Sequence, residues 1–135
     1  MVTTMPAKPN ERQYRTMSMV LRSLPDDGKR EKRIESDYYV EGYASTFNDP
    51  YVLWQDPWDG TEYREVISPD AFVGTDMSDI IMQFDHMGDV LARQSNGTLI
   101  VEPDEHGLFM AADLSKSDAA RNRFEEIDNG LVTRM

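Results

Sequence analysis

Cysteine is absent from the 135 residues. That removes disulfides, thiolate metal sites and a cysteine nucleophile. Positive charge is scarce: 14 Lys and Arg stand against 25 Asp and Glu, a net charge of −11. A phosphate-binding face needs a basic surface, so this balance argues against nucleic acid and for a protein partner. No apolar run approaches the roughly 18 residues of a membrane span. Residues 1–9 lack the apolar segment of a signal peptide. These absences point to a soluble, cytosolic protein with no membrane contact. Histidine is nearly absent too, with His86 and His106 alone, so imidazole chemistry has two candidates.

What is present suffices for a core. Apolar residues make up 39% of the chain, and a chain of this length is one domain or part of one. Residues 1–11 carry Pro6, Lys8, Pro9 and Asn10 and read as a disordered tail. Residues 12–135 read as the folded domain. Met17, Met19 and Leu21 alternate with Thr16 and Ser18, a period of two that predicts a strand over 13–22. A turn at Pro25-Asp26-Asp27-Gly28 precedes a basic cluster, Lys29, Arg30, Lys32 and Arg33, read as a solvated loop. Alternation resumes over 37–47, with Gly42 marking a bulge or a close backbone approach.

Residues 51–60 read as a long loop, in which Trp54 and Trp58 pin the loop to the body or meet a partner. Its acids do not match the EF-hand spacing, which argues against a metal. A strand is predicted over 61–67, then a short helix start with Ser68 as N-cap, Pro69 at the first position and Phe72 turned inward. Asn96-Gly97 lies between two apolar runs, 90–95 and 98–102, and predicts a hairpin. A further strand is expected over 108–114. His106 falls in a polar turn and reads as an exposed histidine without chemistry. Residues 115–129 predict a helix, capped by Ser115 or Ser117 and ended by Gly130, with Ala120, Phe124, Ile127 and Leu131 as its apolar stripe. Residues 131–135 begin a new extended run. Together these predict a mainly β, α+β domain with one substantial helix and an antiparallel barrel or partly closed sheet.

The stretch with the most chemistry is Ile80-Ile81-Met82-Gln83-Phe84-Asp85-His86-Met87-Gly88. It reads as a buried strand over 77–86 that ends in a titratable side chain. Imidazole gives and takes protons near neutral pH, so His86 is the candidate base; the structural alternative is a loop-capping histidine. Asp85 neighbours it, but adjacent strand residues point to opposite faces, which favours a structural role for Asp85. Asp89 is a weaker candidate of the same kind.

The order of motifs resembles the prohead proteases of tailed phages with HK97-type capsids. The resemblance rests on Val40 to Phe47, on Glu65-Val66-Ile67-Ser68-Pro69-Asp70-Ala71-Phe72, on Phe84-Asp85-His86 and on Asn96-Gly97-Thr98-Leu99. It continues through His106-Gly107-Leu108, Ala112-Asp113-Leu114 and Asn129-Gly130-Leu131-Val132. It implies a serine endopeptidase with an incomplete herpesvirus-assemblin-like barrel. Such an enzyme cuts the scaffolding segment of the major capsid protein, and itself, inside the immature capsid in the bacterial host cytoplasm, without metal or cofactor. It puts the base on His86 and the nucleophilic serine directly after Met135. A base without its nucleophile performs no acyl transfer, so the 135 residues alone are expected to be inactive and truncated. An open sheet edge is expected to favour self-association. The alternative is a non-catalytic β-barrel binding module of a capsid or scaffold assembly, using the Trp54/Trp58 loop. A metal hydrolase built on His86 and nearby acids lacks a second plausible histidine ligand.

Overall fold

A computed structural model describes residues 21–23 and 31–133. The predicted tail and most of the predicted first strand lie outside the described residues. Eight strands and one α-helix follow in order: β1 (Leu21–Ser23), β2 (Tyr39–Thr46), β3 (Tyr51–Gln55), β4 (Glu62–Glu65), β5 (Ile81–Gln83), β6 (Val90–Arg93), β7 (Leu99–Pro103), β8 (Gly107–Asp113) and α1 (Asp118–Asp128). Short 3-10 turns occupy Phe84–His86 and Gln94–Asn96. The main sheet runs β1-β2-β8-β7, and β3-β4 and β5-β6 are separate two-stranded ribbons. All strand pairings are antiparallel. The expected mainly β, α+β class is therefore observed. No sheet closes into a barrel among the described residues.

The period of two decides the two faces of the main sheet. Val40 of β2 and Met110 and Ala112 of β8 join Leu21, Leu91, Leu99, Leu114, Ala120 and Ile127 in the principal core. Tyr39, Phe109 and Ala111 point the other way into a smaller cluster with Ile34, Tyr43 and Ile100. The helix covers the principal face. Ser117 caps it, its hydroxyl accepting from the Ala120 N–H at 3.0 Å, while the Ser115 N–H donates instead to Asp113. Ala120 and Ile127 are buried, and Phe124 packs edge-on against Tyr38 at 5.2 Å. Leu131 leaves the predicted stripe and is 77% exposed, because the chain has turned at left-handed Gly130. Beyond that turn the Leu21 N–H donates to the Thr133 carbonyl at 3.1 Å, so the segment after the helix lies alongside β1.

Several expectations are corrected. The bulge in β2 falls between Tyr43 and Ser45 rather than at Gly42. There β8 comes so close that a Cβ on Gly107 would sit 2.0 Å from the Ser45 carbonyl oxygen. Residues 51–60 are not all loop: Tyr51–Gln55 pairs with Glu62–Glu65. Residues 68–75 form successive turns rather than a helix start, with N–H to carbonyl bonds from Ala71 to Ser68 and from Val73 to Asp70. Phe72 does turn inward, onto Phe47 at 6.0 Å. The Asn96-Gly97 turn exists, with Gly97 left-handed, but its arms diverge: β6 pairs with β5 and β7 with β8. In the basic cluster, Arg33 pairs with Glu102 at 2.6 Å and Lys32 donates to the Ser36 carbonyl. Lys29 and Arg30 lie outside the described residues.

Candidate active site

The structure places His86 on the β5-β6 ribbon, but not at the end of a buried strand. β5 covers Ile81–Gln83 alone and is half-open to solvent. His86 sits beyond it in the connecting turn and is exposed. Ile80 and Met82 do pack against the principal core, beside buried Leu91 and Ala92, so the apolar run anchors the ribbon while the turn projects outward.

That turn is tightly specified. Asp85 and His86 both have left-handed backbones, with φ of 48° and 60°. Such a conformation costs a non-glycine residue on the order of 1–2 kcal/mol and persists where the surroundings over-determine it. The surroundings here are a set of bonds. The Phe84 N–H donates to the Asp89 carbonyl at 3.2 Å, and the Gly88 N–H to the Phe84 carbonyl at 2.8 Å. The Gln83 side-chain amide donates to the Gly88 carbonyl at 2.9 Å. Gly88 has no room for a side chain, since a Cβ would meet the Phe84 carbonyl oxygen at 2.8 Å. The strand geometry that was to turn Asp85 away from His86 is absent, because both residues lie in the turn. Asp89 contributes its backbone carbonyl to closing it.

The ribbon is fixed at two further points. At its base, Asp79 receives the Arg93 guanidinium, with Nη2 to Oδ2 at 2.6 Å and Nε at 3.1 and 3.0 Å from the two oxygens. The Ser95 N–H adds a bond at 3.2 Å. The Arg93 and Ser95 hydrogen bonds hold the Asp79 carboxyl down at about 2. At its tip, the Arg123 guanidinium of α1 lies 3.8 Å from the centre of the Phe84 ring. This cation–π contact ties the turn that carries His86 to the helix that leads to residues 131–133. Around the imidazole the turn displays Met87, 90% exposed, with Phe84 and Val90 partly exposed. An imidazole on a rigid, solvent-open turn with apolar flanks can exchange a proton with a polypeptide laid across it.

The serines hold other posts. Ser117 caps α1, Ser36 donates to Asp113 and Ser95 accepts from Arg93. Ser45 is buried in β2 with its hydroxyl unpaired among the described residues. His106 is exposed in the β7-β8 turn, its ring edge-on to Tyr43 at 6.1 Å. Among the described residues no group of three or more His, Asp or Glu is placed to hold a metal, and no helix is long and apolar enough to cross a membrane.

Sequence reasoning missed Arg123, an ordinary helix-face arginine until the fold sets it on Phe84. It also missed the left-handed pair, for which Gly88 just downstream was the available signal.

Neither curated proteins nor solved structures give a match to this chain. One protein family does, caudovirus prohead serine protease, over residues 28–135. The match spans β2 to β8 and the helix, with β1 lying before it, and includes both ribbons and the whole of the His86 turn. The chain therefore belongs to the caudovirus prohead serine protease family, whose members are phage capsid-maturation proteases.

Proposed function

We propose that His86 is the general base of a serine endopeptidase that removes the scaffolding segment of the phage major capsid protein and processes itself. The observation that carries this reading is the Arg123–Phe84 contact. It joins an exposed, tightly specified histidine turn to the helix whose far end runs to β1. The family resemblance puts the nucleophile in the strand after that helix. One helix thus fixes both the base and the approach to the nucleophile, and such a pair works only as a unit.

In this mechanism the serine hydroxyl attacks the scissile carbonyl as His86 takes its proton. His86 then gives that proton to the leaving amine, and a water deprotonated by His86 releases the acyl group. The barrel implied by the resemblance, residence in the prohead within the host cytoplasm and self-association at the sheet edge belong to the same proposal.

The test uses the complete reading frame, co-expressed with the capsid protein of the same phage. The capsid protein is expected to shorten with the wild-type chain and to stay full length with a soluble His86→Ala variant. Equal shortening by both would remove His86 from the chemistry.

A further inference from the structure

Among the described residues the most exposed large apolar side chain is Trp58, 94% accessible at the tip of the β3-β4 ribbon. Its backbone is not loose. The Asp56 N–H donates to the Thr61 carbonyl at 2.8 Å, and the Gly60 N–H to the Asp56 carbonyl at 3.0 Å. The Asp56 carboxylate accepts from the Trp58 N–H at 2.8 Å, and the Asp59 carboxylate from the Thr61 N–H at 2.8 Å. Gly60 supplies the left-handed residue at φ 75°. Behind the tip, Trp54 and Tyr63 stack across the strands at 5.0 Å, with Tyr63 half exposed. An indole in water forfeits more burial than almost any other side chain, and tryptophan is the residue most enriched at the centres of binding interfaces. A tip already ordered in the free protein also lowers the entropic cost of binding.

The charge around the tip selects the occupant. Asp56 and Asp59 flank Trp58, and among the described residues no ion pair neutralises either; Glu62, one strand along, is already paired with Arg64 at 2.8 Å. A complementary site must bring cations to both sides of an apolar slot. A second copy of this chain meets the requirement poorly. It carries a net charge of −11, and Arg33, in its basic cluster, is engaged by Glu102. The family implies interaction with phage capsid proteins, and these offer the alternative surface.

We propose that the β3-β4 ribbon is a docking hairpin, separate from the one bearing His86, that seats Trp58 in a Lys/Arg-flanked apolar slot of the phage capsid protein and anchors the protease in the prohead. The proposal rests on the family assignment and not on the role of His86.

The test is packaging. Proheads are assembled in cells from the complete gene, under a serine-protease inhibitor so that processing does not intervene, with and without Trp58→Ala. The protease content of purified proheads is then measured against capsid protein. Trp58→Ala is expected to lower it by at least about tenfold, the scale of a central anchor, with melting temperature unchanged. Asp56→Asn with Asp59→Asn is expected to lower it less and to weaken its dependence on salt. In free Trp54→Phe protein, acrylamide is expected to quench Trp58 as it quenches a fully exposed indole. Normal packaging of Trp58→Ala overturns the proposal. So does a lowered melting temperature or a shielded Trp58, either of which shows that the chain itself covers the indole. Loss of self-association with packaging intact also overturns it, in favour of a second copy.

Discussion

The main sheet and the two ribbons are built on opposite principles. Val40, Ala111 and Ala112 in the sheet, and Leu114 just beyond the end of β8, are fully buried, and their positions follow from burial alone. The ribbons hold Trp58, Tyr63, Val52, Ile81, Phe84, Met87 and Val90, seven of the ten large apolar side chains left exposed among the described residues. Their order comes from elsewhere: carboxylates on backbone N–H groups at Asp56 and Asp59, the Asp79–Arg93 clamp, and Arg123 on Phe84. Hydrophobic burial makes the body stable, and local polar and cation–π contacts order the groups left exposed on the ribbons. A site on a loop held by a rigid scaffold is the usual arrangement for binding and catalysis.

The contrast breaks most visibly under truncation. Leu114→Ala is expected to cost about 2–5 kcal/mol in urea unfolding, and Met87→Ala to stay within about 0.5 kcal/mol. Comparable costs at the two positions would erase the distinction. Gly107→Ala belongs with Leu114, since its Cβ meets the backbone oxygen of Ser45, which has no flexible end to move; circular dichroism melts would show a clear drop. Next in size is Ser117→Ala, which removes the cap of α1 and is expected to cost about 1 kcal/mol.

A smaller effect appears in acid. Burial alone would raise the Asp113 carboxyl, but hydrogen bonds from Ser115 and Ser36 outweigh it and hold the group below its ordinary value. A depressed carboxylate adds stability that is present above its unfolded value and lost as pH falls through the folded one. Wild-type stability should therefore fall below about pH 4, where an unfolded aspartate takes up its proton, with a shallower slope for Asp113→Asn in pH-dependent melts. The smallest effect sharpens the picture of the sheet. Ser45 leaves a buried hydroxyl without a partner among the described residues, so Ser45→Ala is expected to be neutral or slightly stabilising.

The sheet was the legible part. Alternation around Val40 announced β2, an apolar run between turn signals announced β8, and Ser117, Ala120, Ile127 and Gly130 announced the helix, because burial writes a pattern into the sequence. The ribbons were less legible because polar contacts write none. Tyr51–Gln55 carries Trp54 and leads into Asp56-Pro57, and so looked like loop. Asn96-Gly97 announced a reversal correctly, but not that its two arms join different sheets, which β8 decides by pairing with β7. At the site, His86 was visible as a rare imidazole after an apolar run. Its exposure was not, because Ile80 and Met82 reach the core while the left-handed turn beyond them leads outward.

The most direct measurement takes melting temperature and capsid-protein cleavage on one sample of His86→Gln, made from the complete reading frame. The account predicts cleavage abolished in a protein that still melts close to the wild-type temperature. Cleavage at the wild-type rate, or a melting temperature that falls together with activity, would contradict it.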